Sequence, residues 1–173
     1  MVKHQEDLAR LMTAEQGKPL AEARGEVVYA GAFFEWFGEE AKRTYGDLIP
    51  GPAADRRIMV MKQPVGVVGA ITPWNFPFWI LSQKLPFALA AGCTCVVKPS
   101  EMTPSTTVML GELLLEAGIP DGVVNIVLGF GQPVGALMSS HPDVDMVTFT
   151  GSTAVGKGIA AAASATLKKV ALE

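Results

Sequence analysis

Three short polar clusters carry residue types that can do chemistry, and each follows directly on a run of apolar residues. The first is Thr72-Pro73-Trp74-Asn75-Phe76-Pro77. The primary amide of Asn75 offers N–H groups suited to a developing oxyanion, although Asn and Pro serve equally well in a turn or helix cap. The second is Lys98-Pro99-Ser100-Glu101. An acid at a strand end holds ribose hydroxyls in dinucleotide-binding folds, and Lys98 would add a donor to the same sugar. A surface ion pair would use the same two residues. The third is Phe149-Thr150-Gly151-Ser152-Thr153-Ala154-Val155-Gly156-Lys157. A glycine-containing turn that opens a helix presents backbone N–H groups to a phosphate.

Two familiar phosphate signatures are absent. Gly156-Lys157 is followed by Gly158 where a P-loop needs Ser or Thr, and no Gly-x-Gly-x-x-Gly follows the first strand. Gly129-Phe130-Gly131 is too short to count as one. His4 and His141 lie far apart, and no His/Cys spacing suits a metal. Cys93 and Cys95 read as core residues of an apolar run, without a disulfide and without a neighbouring His to activate either thiol. Phe33, Phe34, Trp36 and Phe37 read as aromatics that pack a helix on its neighbour.

The elements that must position these clusters form a strand–helix alternation. Strands are expected at Val65–Ile71, Thr94–Lys98, Val123–Leu128, Met146–Thr150 and Lys168–Leu172, rich in Val, Ile and Thr. Helices are expected around Pro77–Ala91, Ser105–Ala117, Pro133–Ser140 and Thr153–Ala165. Such alternation implies an α/β fold with a doubly wound parallel sheet. The three clusters then fall at the carboxyl ends of their strands, where sheets of this kind bind ligands. Two helices precede the sheet, one from Glu6 and broken at Gly17-Lys18-Pro19, the other from Leu20 to about Lys42. The Gly- and Pro-rich stretch from Gly46 to Ala54 reads as a connection, followed by strand character over Arg57–Lys62.

The 173 residues suffice for one well-filled core. A net charge of -3 with scattered basic residues gives no nucleic-acid tract, and no apolar run is long enough for a membrane span. The hydrophobic fraction of 49% suggests apolar surface that another domain or subunit covers. The amino terminus lacks the apolar stretch of a signal peptide, so a cytoplasmic location is expected.

Taken together, the clusters resemble the aldehyde dehydrogenase superfamily. Thr72–Pro77, Ala90-Ala91-Gly92-Cys93-Thr94 with Val96–Glu101, and Phe149–Ser152 occur in that family's order and spacing, over nearly the whole chain. Lys169-Val170-Ala171-Leu172-Glu173 is similar to the opening of its Glu-Leu-Gly-Gly-Lys motif. The resemblance implies a Rossmann-like core over residues 65–173, preceded by helices over 1–45 and by a connection and oligomerisation-type strand over 46–64. It implies catalytic roles for Asn75 as oxyanion donor, Lys84 in proton relay and Glu173 as general base. The general base further implies hydrolysis of a thioester rather than its transfer to CoA. Lys98 and Glu101 match the adenosine-ribose pair, with NAD favoured over NADP because Glu101 would repel a 2′-phosphate. Ser152 and Trp74 match pyrophosphate contacts, and Val155 flanks the adenine. Ile71, Thr72, Ser100, Gly131, Phe149 and Gly151 complete the implied cofactor site. Phe76, Trp79 and Gln83 match positions of the aldehyde tunnel. Gln83 stands where related semialdehyde dehydrogenases carry an arginine, which argues against succinate semialdehyde.

The family's nucleophilic cysteine lies beyond the last matched motif. The expectation is therefore the cofactor-binding part of an NAD-dependent aldehyde dehydrogenase, a fragment inactive by itself and prone to homo-oligomerise. A stand-alone nucleotide-binding module and a purely structural protein are the alternatives. Retention of Asn75, Lys84 and Glu173 disfavours both, since neither needs them.

Overall fold

The computed structural model describes all residues from 1 to 173. Helix α1 (Gln5–Gln16) ends on Gly17, whose φ of 75° lets its N–H reach the Thr13 carbonyl at 2.9 Å. Lys18 and Pro19 form the break, and α2 (Leu20–Glu40) follows. Its buried residues Ala23, Glu26, Val27 and Ala30 recur at helical spacing on one face. The apolar stripe of α1 is Leu8 and Met12 with Ala9, all fully buried against α2 and the sheet helices.

Strands β1 (Asp47–Pro50) and β2 (Arg57–Val60) pair antiparallel as a separate hairpin. The stretch expected as a connection therefore contains a strand. Pairing with residues 7 to 13 positions away supplies its hydrogen bonds, which local Gly and Pro content does not reveal. A Cβ on Gly46 would lie 1.7 Å from the Val60 carbonyl oxygen, so only glycine permits this approach. Every residue of both strands is exposed.

The main sheet holds β3 (Val67–Ile71), β4 (Thr94–Lys98), β5 (Val124–Ile126), β6 (Met146–Phe149) and β7 (Lys169–Leu172). All neighbours are parallel, in the order β5-β4-β3-β6-β7, so the doubly wound α/β expectation holds. Alternation along β3 divides the core. Val68 and Ala70 face the cluster built with α1, α2, α3 (Pro77–Ser82), α4 (Leu85–Ala90) and α5 (Ser105–Glu116). Ile71 faces the other way, joining Val147 and Phe149 beneath α6 (Ala136–Ser140) and α7 (Thr153–Ser164). Cys93 and Cys95 are free, and both lie in the first cluster.

The expected single helix over Pro77–Ala91 is two. Pro86 has no N–H to donate to Ser82, and its ring would crowd that carbonyl, so the helix stops and restarts. Gln83 and Lys84 occupy the break. The expected helix at Pro133 is a widened turn over Gly131–Gly135 leading into α6. Strands β3, β5, β6 and β7 are one to three residues shorter than expected at one or both ends. The edge strand β7 is exposed throughout rather than covered on both faces.

Candidate functional site

The carboxyl ends of the central strands are stitched together by their own backbone. Thr72 N–H donates to the Lys98 carbonyl at 3.2 Å and Thr150 N–H to the Ile71 carbonyl at 3.3 Å. The three polar clusters are thereby brought to one edge of the sheet, as the alternation implies. Between α6 and α7 this edge opens into a cleft of about 450 Å³, lined among others by Ile71, Gly131, Gly135, Phe149, Val155 and Ile159. A hollow of about 500 Å³ is lined by the first residues of β3 and β4, Val67 and Thr94, at the amino ends of the strands. Its size is comparable, but a parallel sheet collects its ligand-binding loops at the opposite edge.

The cleft's polar border is the second cluster. Lys98 is only 3% exposed, because its stem runs beside Gly135 on the cleft wall. Its ammonium donates to the Pro99 carbonyl at 2.9 Å and lies 3.5 Å from the Glu101 carboxylate, which is open to solvent. Ser100 Oγ accepts from the Met102 N–H at 3.3 Å. Across the cleft, Ser152 caps α7 by accepting from the Val155 N–H. Gly151 is required where it stands, since a Cβ would lie 2.4 Å from the Phe149 ring.

These residues fit the adenosine half of a nicotinamide dinucleotide. An apolar slot sits between two helices, an acid and an ammonium flank one mouth, and a helix start lies at the other. Thr72 is buried at the bordering strand end.

A second group gathers around Glu173. Its carboxylate accepts from the Thr150 hydroxyl at 2.8 Å and from the Lys84 ammonium at 3.2 Å. Its backbone pairs with Phe149 and Gly151. The Thr150 hydrogen bond, opposed by desolvation and helped by Lys84, holds the carboxyl below its ordinary range. Lys84 reaches this point because it sits at the α3–α4 break, with its side chain otherwise buried.

The third group is the turn from Trp74 to Trp79. Trp74, Asn75 and Phe76 are exposed, Trp79 and Gln83 half-buried. Phe76 and Trp79 meet edge to face at 5.0 Å, and Tyr29 of α2 extends the stack to Trp79 at 5.1 Å. Beneath them lies a buried ion pair between Lys18 and Glu26. Lys18 also donates to the Asn75 carbonyl at 2.7 Å, and Glu26 accepts from the Phe78 and Trp79 N–H groups at 3.0 Å each.

Neither member of this pair is marked as a site residue by its sequence surroundings. The one signal is the placement of Glu26, an acid on the same helical stripe as Ala23, Val27 and Ala30. Lys18 sits in a breaker tripeptide and carries no such mark. Tyr29, Gly135 and Ile159 carry no such mark either, and Thr150 belongs to the third cluster without a role that its sequence position assigns. Neither cysteine is placed to attack a substrate. Both are buried, and burial pushes the Cys95 thiol up to about 12.

The family model described as "Aldehyde dehydrogenase family" matches residues 1–173. The chain is 56% identical over 173 residues to a mitochondrial succinate-semialdehyde dehydrogenase of Arabidopsis thaliana, covering 100% of this chain and 33% of that protein. It is 54% identical to an NADP(+) succinate-semialdehyde dehydrogenase of Escherichia coli, again over the whole chain and 36% of the relative. Among solved structures, an E. coli NADP-dependent enzyme superposes with a TM-score of 0.96 at 54% identity, covering 99% of this chain and 36% of that one. An NAD-dependent aldehyde dehydrogenase from Sinorhizobium meliloti gives 0.95 at 47% identity, covering 99% and 34%. The chain thus spans about a third of the length of the curated relatives it matches. No helix is long and apolar enough to cross a membrane.

Proposed function

This chain belongs to the aldehyde dehydrogenase family, and from that premise we propose that it is the part that binds the nicotinamide dinucleotide during oxidation of an aldehyde to a carboxylic acid. The single observation that carries this reading is the convergence of the cleft, Lys98–Glu101 and Lys84–Glu173 on one edge of the sheet. The dinucleotide, when bound, accepts hydride from the aldehyde carbon.

The chain's own residues hold and orient. Ile71, Gly131, Phe149 and Val155 enclose the adenine. Glu101 accepts from the ribose hydroxyls, with Lys98 donating beside it and Ser100 and Thr72 at the same border. Gly151, Ser152 and Trp74 lie toward the pyrophosphate. Asn75 donates its side-chain N–H to the oxyanion that develops on the substrate carbonyl. Glu173, ionised at neutral pH, takes a proton from the water that releases the acid; the Lys84 ammonium hydrogen-bonded to that carboxylate gives one of its own protons to solvent and takes this one in its place. The attacking thiolate comes from outside these 173 residues, since Cys93 and Cys95 are core residues, so this chain by itself turns over no aldehyde.

The domain division follows the same reading: helices over 1–45, an oligomerisation-type hairpin over 46–64, and the cofactor core over 65–173. The exposed hairpin offers its edge to a second copy, which supports a homo-oligomer. A cytoplasmic location is part of the proposal, although the Arabidopsis relative is named as mitochondrial.

Phe76, Trp79 and Gln83 line the aldehyde's approach. The neutral Gln83 offers a carboxylate no cation, which argues against succinate semialdehyde here. Relatives named for that substrate favour a carboxylate-bearing aldehyde instead. Steady-state comparison of succinate semialdehyde with an uncharged aldehyde of equal length, in the complete polypeptide, decides between them. NAD is favoured because Glu101 repels a 2′-phosphate, although relatives include both NAD- and NADP-dependent enzymes.

Calorimetric titration with NAD and NADP, beside Glu101→Ala, tests the core of the reading. NAD binding weakened by the substitution is expected. Tighter binding of NADP would overturn the cofactor preference. A folded chain that binds neither dinucleotide would overturn the functional reading.

A further inference from the structure

We infer that Lys18 and Glu26, the buried ion pair under the 75–79 turn, are positioning residues that aim the Asn75 amide and fix the Phe76–Trp79 wall. The inference rests on the proposed reading of Asn75 as the oxyanion donor.

Lys18 lies on the α1–α2 link and Glu26 in α2, yet every group they bind beyond each other belongs to one five-residue turn. Lys18 donates to the Asn75 carbonyl at 2.7 Å, and its ammonium lies 3.8 Å from the centroid of the Phe76 ring. Glu26 accepts from Phe78 and Trp79, the first free N–H groups of α3. Their side chains are 8% and 2% exposed. An ion pair so buried is costly to desolvate, and packed apolar residues of the same volume would often hold the fold as well or better. What apolar side chains cannot supply is a hydrogen bond on each side of the Asn75–Phe76 junction. Trp74, Asn75 and Phe76 are otherwise exposed, and α3 is too short to fix the direction of the turn before it. The pair thus anchors a solvent-facing turn at its carbonyl, its ring and its following amides. It touches no reacting atom and acts only through Asn75 and the aromatic wall.

The pair also explains the placement of an acid on the apolar stripe of α2. Glu26 replaces solvent for two helix-start amides, and Lys18 neutralises it while reaching three residues further back along the turn, to the Asn75 carbonyl.

The test uses Lys18→Met, Lys18→Arg and the double variant Lys18→Met/Glu26→Gln, which leaves no buried charge unpaired. In 15N-resolved spectra of the 173-residue chain, the Asn75 side-chain amide and the Phe78 and Trp79 backbone amides should move in Lys18→Met and in the double variant. Amides of β4 and α5 should keep their positions, and Lys18→Arg should restore most of the shift. In the complete polypeptide at saturating dinucleotide, kcat should fall roughly 10- to 100-fold in the double variant, because a displacement of about 1 Å costs on the order of 10²-fold. The KM for the dinucleotide should not change, which separates lost aim from general loosening. An unmoved Asn75 side-chain amide with unmoved Phe78 and Trp79 backbone amides in a folded double variant would overturn the inference, whether or not aldehyde is turned over. An active wild-type polypeptide whose kcat is untouched in the double variant would also overturn it. A wild-type polypeptide that oxidises no aldehyde, with the spectral shifts present, refutes the functional reading and leaves the pair's hold on the turn established.

Discussion

Replacing Gly135 by leucine should separate cofactor binding from folding. Gly135 has helical backbone angles, φ -63° and ψ -38°, so a side chain there meets no backbone strain. A Cβ built on it lies 3.8 Å from Ile71 Cδ1 and 3.9 Å from Lys98 Cδ, ordinary contact distances that need no neighbour to move. Alanine should therefore leave the fold unchanged or stabilise it by about 0.5–1 kcal/mol, through lost freedom in the unfolded chain. Leucine continues from the same Cβ into the cleft of about 450 Å³. In the free chain that space accommodates it. With adenosine in place the added carbons overpack the slot, at a cost of about 1–3 kcal/mol. At 1.4 kcal/mol per tenfold, this is a roughly 5- to 150-fold loss of affinity. Urea unfolding and calorimetric titration of wild type, Gly135→Ala and Gly135→Leu give the two axes. A leucine variant that is folded and binds dinucleotide within twofold of wild type would refute the assignment of this cleft. A loss of stability above about 2 kcal/mol in the alanine variant would refute the backbone argument.

Further outcomes follow from neighbouring contacts. Gly151→Ala drives a methyl into the Phe149 ring, 2.4 Å from its tip, and should lower stability by about 1–3 kcal/mol in denaturant titrations. Thr150→Val removes the largest cause of the depressed Glu173 carboxyl, so its titration, followed by carboxyl 13C shifts, should move up toward the ordinary 4.5. Because that carboxyl is depressed in the fold, its pairing stabilises above the ordinary value and is lost as pH falls through the folded one. The variant should accordingly show a weaker acid dependence of stability below pH 4.5, and an unchanged Glu173 titration would contradict the assignment. Glu6, clasped by Arg24 and then Arg10, should titrate at about 2 and rise on Arg24→Ala or in 1 M salt. Leu81→Ala, at a fully buried position in the larger core, should cost about 2–5 kcal/mol and leave the Glu6 titration unmoved.

The parallel α/β architecture was legible because its strands and helices differ in local period and composition. Thr94–Lys98 has the same limits in sequence and structure, and α2 begins at Leu20 in both. Reading failed where a long-range partner decides the outcome. The segment 47–50 is a strand only because 57–60 lies beside it, and β7 lies at an edge only because of its place in the sheet order. The break at Gln83–Lys84 was written in Pro86, a local signal that the apolar run masked.

The chemistry divides in the same way. Residue types and their order along the chain determined the three polar clusters, their position at strand ends and the family they resemble, because those depend on side-chain chemistry and local period alone. Only the tertiary structure decided that Lys84 and Thr150 share the Glu173 carboxylate, that Gly135 sits beside Lys98 on a cleft wall, and that Lys18 and Glu26 lie under Asn75. Those pairings join residues 23 to 89 positions apart or depend on two helices packing against one turn. Hydrogen bonds and burial reach only a few ångströms, so partners that distant are chosen by the folded path of the chain and leave no mark on the residues beside them in sequence.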